Sequence, residues 1–164
     1  MWRLGNSGGG WKKKWGRRPP AVKLMTHPGV GRVTALAMVL TLGPAGRFGS
    51  GRQVGSYFGL IPSEHSSGGR QPMGRITKQG SSFLRFLLVE AGQSAVRKDA
   101  ELGRFYRRLG ARKNRVLAKV AVARKLATRL YLMLREDWTY AQLVRAMVQA
   151  SPSHSVVGWS RPSA

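Results

Sequence analysis

The chain has no cysteine among its 164 residues. That excludes a disulfide framework, a cysteine nucleophile and a thiolate zinc site, and it suits a cytoplasmic protein. Acid is nearly as scarce. Six Asp and Glu stand against 29 Lys and Arg, a formal net charge of +23. The six are Glu64, Glu90, Asp99, Glu101, Glu136 and Asp137, so the first 63 residues carry none. No pair among them has metal-ligand spacing. Asp99 and Glu101 are expected on different sides of a helix, and Glu136 and Asp137 adjoin at a helix end. Metal-dependent phosphoryl chemistry, which needs clustered carboxylates, is not expected from these residues alone. Long apolar runs are missing too. The longest, VTALAMVLTL at 33–42, is about half the roughly 20 residues of a membrane span. The N-terminus lacks the apolar centre of a secretory signal.

What is present in excess is positive charge. A field of this size calls for an anionic partner or a solvated surface. Nucleic acid is the leading partner, because each neutralised phosphate releases a condensed counterion. An anionic membrane surface is the weaker rival, since basic and apolar residues are spread over a domain rather than one amphipathic helix. Charge alone would also fit a small ribosome-associated or architectural protein.

Residues 1–22 are rich in Gly, Trp and cations, lack any periodicity and are expected to be disordered. As a basic arm they would offer Trp2, Trp11 and Trp15 for stacking on bases. Residues 23–150 form one small, mainly α domain, and 151–164 a flexible tail. The domain begins with a short helix, a hairpin at Pro28-Gly29-Val30-Gly31 and a second helix. Pro28 stops the first helix. The glycines let backbone N–H groups approach an anion, and the second helix starts with its positive end at the turn. With Arg32 beside it, the element looks like a helix-hairpin-helix, which grips a DNA phosphate without reading sequence.

Ser50 and Gln53 fit a capping box, so a short helix is expected from about residue 51. A long Gly/Ser-rich loop covers 60–80. Ser81 or Ser82 then caps a helix whose apolar stripe runs through 83, 84, 87, 88, 91 and 95. A short helix over DAELGRFYRRLG is expected to stop at Gly110. The clearest helix follows, with Val116, Val120, Ala123, Ala127, Leu130 and Leu134 on one face. Arg115, Lys119, Lys125 and Arg129 fall largely off it, as a solvated surface would. A last helix is capped near Asp137 or Thr139.

Four ordered segments carry a family likeness: HPGVGRVTALAMVLTLG, RFGSGRQVGSYFGLIPSEHSSGG, GRITKQGSSFLRFLLVEAG and KVAVARKLATRLYLML. Together they resemble the C-terminal domain of the IS-one-ten (IS-one-sixteen or IS-nine-oh-two) insertion-sequence transposases, which include the bridge-RNA-guided recombinases. The resemblance implies a DNA-binding domain that supplies a serine nucleophile for strand transfer. In the family, a separate RuvC-like domain holds magnesium on carboxylates and completes the active site. No cofactor is therefore expected within this chain, and magnesium only with that RuvC-like partner. DNA, a structured guide RNA, the RuvC-like half and further copies on DNA are the implied partners. The chain is then expected to be a truncated or split transposase, inactive alone.

The family serine lies a few residues past a Gly-Leu-x-Pro turn and directly before a glycine. Here that turn is Gly59-Leu60-Ile61-Pro62, and the match is Ser67, followed by Gly68; Ser66 is the alternative. Without the likeness, SSGG reads as an ordinary loop. A serine hydroxyl needs a base or metal to attack a phosphate, and the attacked phosphate needs fixed cations. Arg70, Arg75 and Lys78 are close enough in sequence to supply them or to hold DNA, as Gly29, Gly31 and Arg32 would at the hairpin.

Overall fold

A computed structural model describes residues 19–64, 73–76, 80–112 and 114–150, with backbone alone for 62–64 and 73–76. In chain order these form α1 (Pro20–Leu24), α2 (Arg32–Leu42), a 3-10 turn (Ala45–Arg47) and α3 (Gly51–Tyr57). Strands β1 (Pro62–Glu64) and β2 (Met73–Ile76) follow. Then come α4 (Ser82–Lys98), α5 (Ala100–Arg112), α6 (Arg115–Arg135) and α7 (Tyr140–Gln149). The fold is mainly α, as its periodicities predict.

Local chemistry sets most helix starts. Pro20 occupies the first turn of α1, where its missing N–H costs nothing. That helix therefore begins inside the segment 1–22 expected to be disordered, because Pro-Pro serves here as a helix start. Ser50 accepts from the Gln53 N–H at 3.4 Å, and the Gln53 side chain accepts from the Gly49 N–H at 2.7 Å. The capping box is thus displaced by one residue on its return bond. Ser81, rather than Ser82, caps α4 by accepting from Leu84 N–H at 3.2 Å. Thr139 begins α7, its N–H donating to the Gln142 side chain at 2.8 Å. Asp137, the other candidate, lies outside α7 with φ 59° and pairs with Lys23.

The core is organised around α6, which packs against α1, α3, α4, α5 and α7. Being surrounded, its middle buries more than one stripe. Ala123, Ala127, Leu130 and Leu134 are buried as expected, and so are Val122, Leu126, Tyr131 and Met133. Val116 at its exposed start is 65% accessible, which departs from the expected face. The Tyr131 hydroxyl donates to the Phe48 carbonyl at 2.6 Å, so this deep aromatic keeps a polar partner. On α4, Leu84, Leu88, Ala91 and Ala95 face the core, while Phe83 is exposed.

Three further expectations change. The 60–80 loop contains an antiparallel hairpin, pairing Pro62 with Ile76 and Glu64 with Met73 with an irregularity between. Gly110 does not end α5, which runs on to Arg112; a helical glycine costs only about 1 kcal/mol, too little to stop a packed helix. Arg129 is not a solvated cation but 4% exposed.

Candidate nucleic-acid interface

Between α1 and α2 the chain makes a tight, internally bonded turn. His27 N–H donates to the Leu24 carbonyl at 3.0 Å, and Val30 N–H to the His27 carbonyl at 3.1 Å. The Thr26 hydroxyl donates to the Lys23 carbonyl at 2.6 Å and accepts from the Tyr140 N–H at 2.9 Å. His27 is buried, its ring edge-on to Tyr140 with centroids 4.7 Å apart. Its Nδ1 lies 2.9 Å from the Pro28 carbonyl, so that nitrogen carries a proton and donates. Burial lowers its pKa to about 4, against a smaller opposing pull from the Pro28 carbonyl.

This histidine makes the fold acid-sensitive. Its folded pKa lies below its unfolded one, so its contribution is complete above about pH 6.5 and is lost as pH falls towards 4. The loss expected over that window is roughly 3 kcal/mol. Thermal melts at stepped pH should show it, and His27→Phe should flatten the slope. An unchanged slope in His27→Phe would assign the acid sensitivity to other groups.

The two glycines of the turn do different things. Gly29 has φ +86°, and a Cβ there would lie 2.4 Å from the Ala95 nitrogen of α4. Glycine is required because the turn is pressed onto a helix backbone. Gly31 has nothing within 4 Å of such a Cβ. It is the N-cap of α2, with φ −90°, ψ 175° and no side-chain cap. The first-turn N–H groups of α2 are thus left for water or an anion. Arg32 beside them is exposed. The depression at this turn, about 390 Å³, is lined in part by His27, Gly29, Gly31, Ser94 and Lys98. Sequence reading missed Ser94 and Lys98, because only the packing of α4 brings them to residues more than 60 positions earlier.

Ser67, Ser66, Arg70 and Lys78 lie outside the described residues, and Arg75 is placed on β2 by its backbone alone. The residues that precede β1 and follow β2 are held together by close contacts. Gly80 has φ +78°, and a Cβ there would sit 2.4 Å from the Tyr57 carbonyl oxygen. Arg85 Nη1 donates to the carbonyls of Gly80 at 3.1 Å and Phe58 at 3.4 Å. It therefore fastens the entry and exit of the hairpin to each other. No motif singled out Arg85, because its role exists only once residues 58 and 80 are neighbours.

Asp99 serves the core, and Glu101 joins it on a shared arginine. Asp99 Oδ1 caps α5, accepting from Leu102 N–H at 2.9 Å. Asp99 Oδ2 accepts from Arg129 Nη1 at 2.7 Å and from the Tyr140 hydroxyl at 2.8 Å. Burial pushes the Asp99 carboxyl up, but the bonds from Leu102, Tyr140 and Arg129 hold it below its ordinary value. Burial and this carboxylate push the Tyr140 phenol up to about 12. Glu101 pairs with both Lys125 and Arg129. Burial raises its pKa, yet these two cations keep it below the ordinary value. Far from facing apart, Asp99 and Glu101 converge on one guanidinium. Asp137 pairs with Lys23 and Glu136 with Arg135. Among the described residues no three of His, Asp or Glu gather as a metal site. Asp99, Glu101, Glu136 and Asp137, each already paired with a cation, do not fit magnesium, so no step through that metal is assigned to them.

The family model of the IS116/IS110/IS902 transposases matches residues 21–107. That interval runs from α1 through the turn, the hairpin and α4 into α5. The chain belongs to this transposase family. It is 34% identical over 122 residues to a "probable family 20 transposase" of Pseudomonas aeruginosa, covering 72% of this chain and 36% of that protein. It is 31% identical to the transposase for insertion sequence element IS1111A of Coxiella burnetii, covering 72% of this chain and 34% of that protein. A 43.6 kDa protein of insertion element IS110 from Streptomyces coelicolor is 28% identical, over 80% and 33% of the respective lengths. The chain thus spans about a third of the length of these relatives. No helix of this transposase-family chain, among the described residues, is long and apolar enough to cross a membrane.

Proposed function

We propose that this chain is the DNA-binding, serine-bearing C-terminal region of an insertion-sequence transposase. The observation that carries the DNA-binding reading is the turn at residues 28–31. It ends on an uncapped helix start at Gly31, beside the exposed Arg32 and near Lys98. Such a helix start favours a phosphate, in the manner of a helix-hairpin-helix. Ser67 is the nucleophile. Its oxygen forms a bond to a backbone phosphorus, the bond from phosphorus to one strand end breaks, and that end leaves as a hydroxyl. Arg70, Arg75 and Lys78 offset the charge of the attacked phosphate.

Alone, the chain binds without cutting, since activation of Ser67 falls to the remaining part of a family protein. One surface supports such a neighbour. Helix α2 is apolar nearly all round and exposes Val33, Leu36 and Leu40, whereas helices of that composition are normally enclosed.

The test has two arms. The purified chain should bind duplex DNA with an affinity that falls on the order of a thousandfold between 50 and 200 mM salt, if roughly 6–10 phosphates are contacted. A flat salt response would overturn the DNA reading. In the second arm, the chain is mixed with the remaining region of a relative, magnesium and DNA. A covalent protein–DNA adduct should form, and Ser67→Ala should abolish it while Ser66→Ala leaves it. An adduct that survives Ser67→Ala would remove the nucleophile and leave a non-enzymatic DNA-binding module.

A further inference from the structure

A second concentration of charge lies away from the turn. Arg104, Arg107, Arg108 and Arg112 are all exposed on α5, and Arg115 and Lys119 are exposed at the start of α6. At 3.6 residues per turn the four α5 arginines share one side of the helix, away from the buried Leu102. Asn114 caps α6, its side-chain oxygen accepting from Val116 N–H at 2.8 Å, and α5 packs along α6. The two runs of cations therefore meet at a fixed corner.

None of the six forms an ion pair among the described residues. There is no Asp or Glu between Glu101 and Glu136, and Glu101 is held by Lys125 and Arg129. The spacing i, i+4 repeats like charges at 104, 108 and 112, which disfavours an isolated helix. A solvated surface would normally interleave acids at those positions. Arginine also predominates here over lysine, and its planar fork suits phosphate oxygens. The half-buried Phe105 lies among these cations, 4.8 Å from Lys125 Nζ and 5.9 Å from the Arg108 guanidinium.

We propose that the α5–α6 corner is a second nucleic-acid contact, a ridge that lies along the phosphate backbone of duplex DNA apart from the turn at 28–31. The proposal rests on the DNA-binding reading above for the identity of its polyanion. Four arginines over nine residues of helix span about 12 Å, a length of duplex that carries several phosphates. The ridge adds affinity and orientation without reading bases, because backbone contacts carry no sequence information.

The test compares two triple variants of the full chain. One is Arg104→Gln, Arg108→Gln and Arg112→Gln. The control removes the same charge from exposed positions elsewhere: Arg52→Gln, Arg97→Gln and Arg145→Gln. Glutamine keeps a good helix propensity, and circular dichroism checks that both fold. Binding to a random-sequence DNA duplex is measured across a salt series. The ridge variant should reduce the slope of log affinity against log salt by about 2–3, since each lost phosphate contact removes about 0.9. The control should change it by less than about 1. Equal slopes for the two variants would make the ridge an ordinary solvated surface and overturn the proposal. So would a ridge variant that loses binding to phosphatidylserine vesicles while keeping its duplex affinity. Absence of duplex binding by the unmodified chain would instead overturn the DNA-binding reading itself, so the two failures are distinguishable.

Discussion

Replacing Arg129 with methionine should lower the unfolding free energy by about 3–5 kcal/mol, the usual result of stranding one partner of a buried ion pair. Arg129 and Asp99 are 4% and 5% exposed, so the remaining carboxylate could not recover water. Its other partners, Leu102 N–H and the Tyr140 hydroxyl, satisfy hydrogen bonds but do not neutralise charge. With a typical domain stability of about 5–15 kcal/mol, this one change would consume about a fifth of it or more. Urea denaturation measures the loss directly. The double variant Arg129→Met, Asp99→Asn should recover a large part of it, because the cost lies in the unpaired charge. A double variant no more stable than Arg129→Met would refute that account and leave lost packing as the cause.

The pH response separates the same two explanations. In the native chain the Asp99 carboxyl is held below its ordinary pKa. Its stabilisation is thus present above that ordinary value and lost as pH falls through the folded pKa. Without Arg129 the burial of Asp99 is opposed by fewer partners, and its folded pKa should rise. Moderate acid should then narrow the gap between Arg129→Met and the native chain. A gap constant from pH 7 to about pH 4 would argue that charge is not the missing quantity.

This network also marks where sequence reading reaches its limit. Caps are local chemistry, so Ser50 with Gln53, and Ser81 before its helix, were legible within four residues. The apolar periods of α4 and α6 gave the helices and most of their buried positions. Asp99 and Arg129 are 30 positions apart, and no local pattern links them. Their meeting depends on how α5 turns against α6, which periodicity does not encode. The exposure of Val116 has the same origin, since a helix face is buried only where another element covers it. At the candidate site, the turn and Arg32 were legible from Pro, Gly and charge. The approach of Lys98 and the bracing by Arg85 were not.

Gly29→Ala should cost about 3–5 kcal/mol, near the top of the range for a single substitution. The left-handed φ of +86° would contribute about 1–2 kcal/mol for any side chain with a Cβ. The remainder comes from contact with atoms that cannot move independently. The new carbon would meet Ala95 N at 2.4 Å, Ala91 O at 2.8 Å and Ala95 Cα at 2.8 Å, all backbone of α4. Relief requires the turn to lift from α4, which also displaces the start of α2. Stability and DNA affinity should therefore fall together. Gly31 supplies the contrast. Its φ is negative and its surroundings are open, so Gly31→Asp introduces no clash. Aspartate is a better N-cap than glycine, and its charge suits the helix start, so the melting temperature should hold or rise. The same carboxylate would occupy the N–H groups offered to a phosphate and repel it. Affinity for duplex DNA should drop about tenfold or more, equivalent to 1.4 kcal/mol or more. A variant with raised stability and lost binding would assign the turn at 28–31 to recognition of a phosphate. Unchanged binding in Gly31→Asp would place the DNA elsewhere, and would leave Gly29 as a residue of packing only.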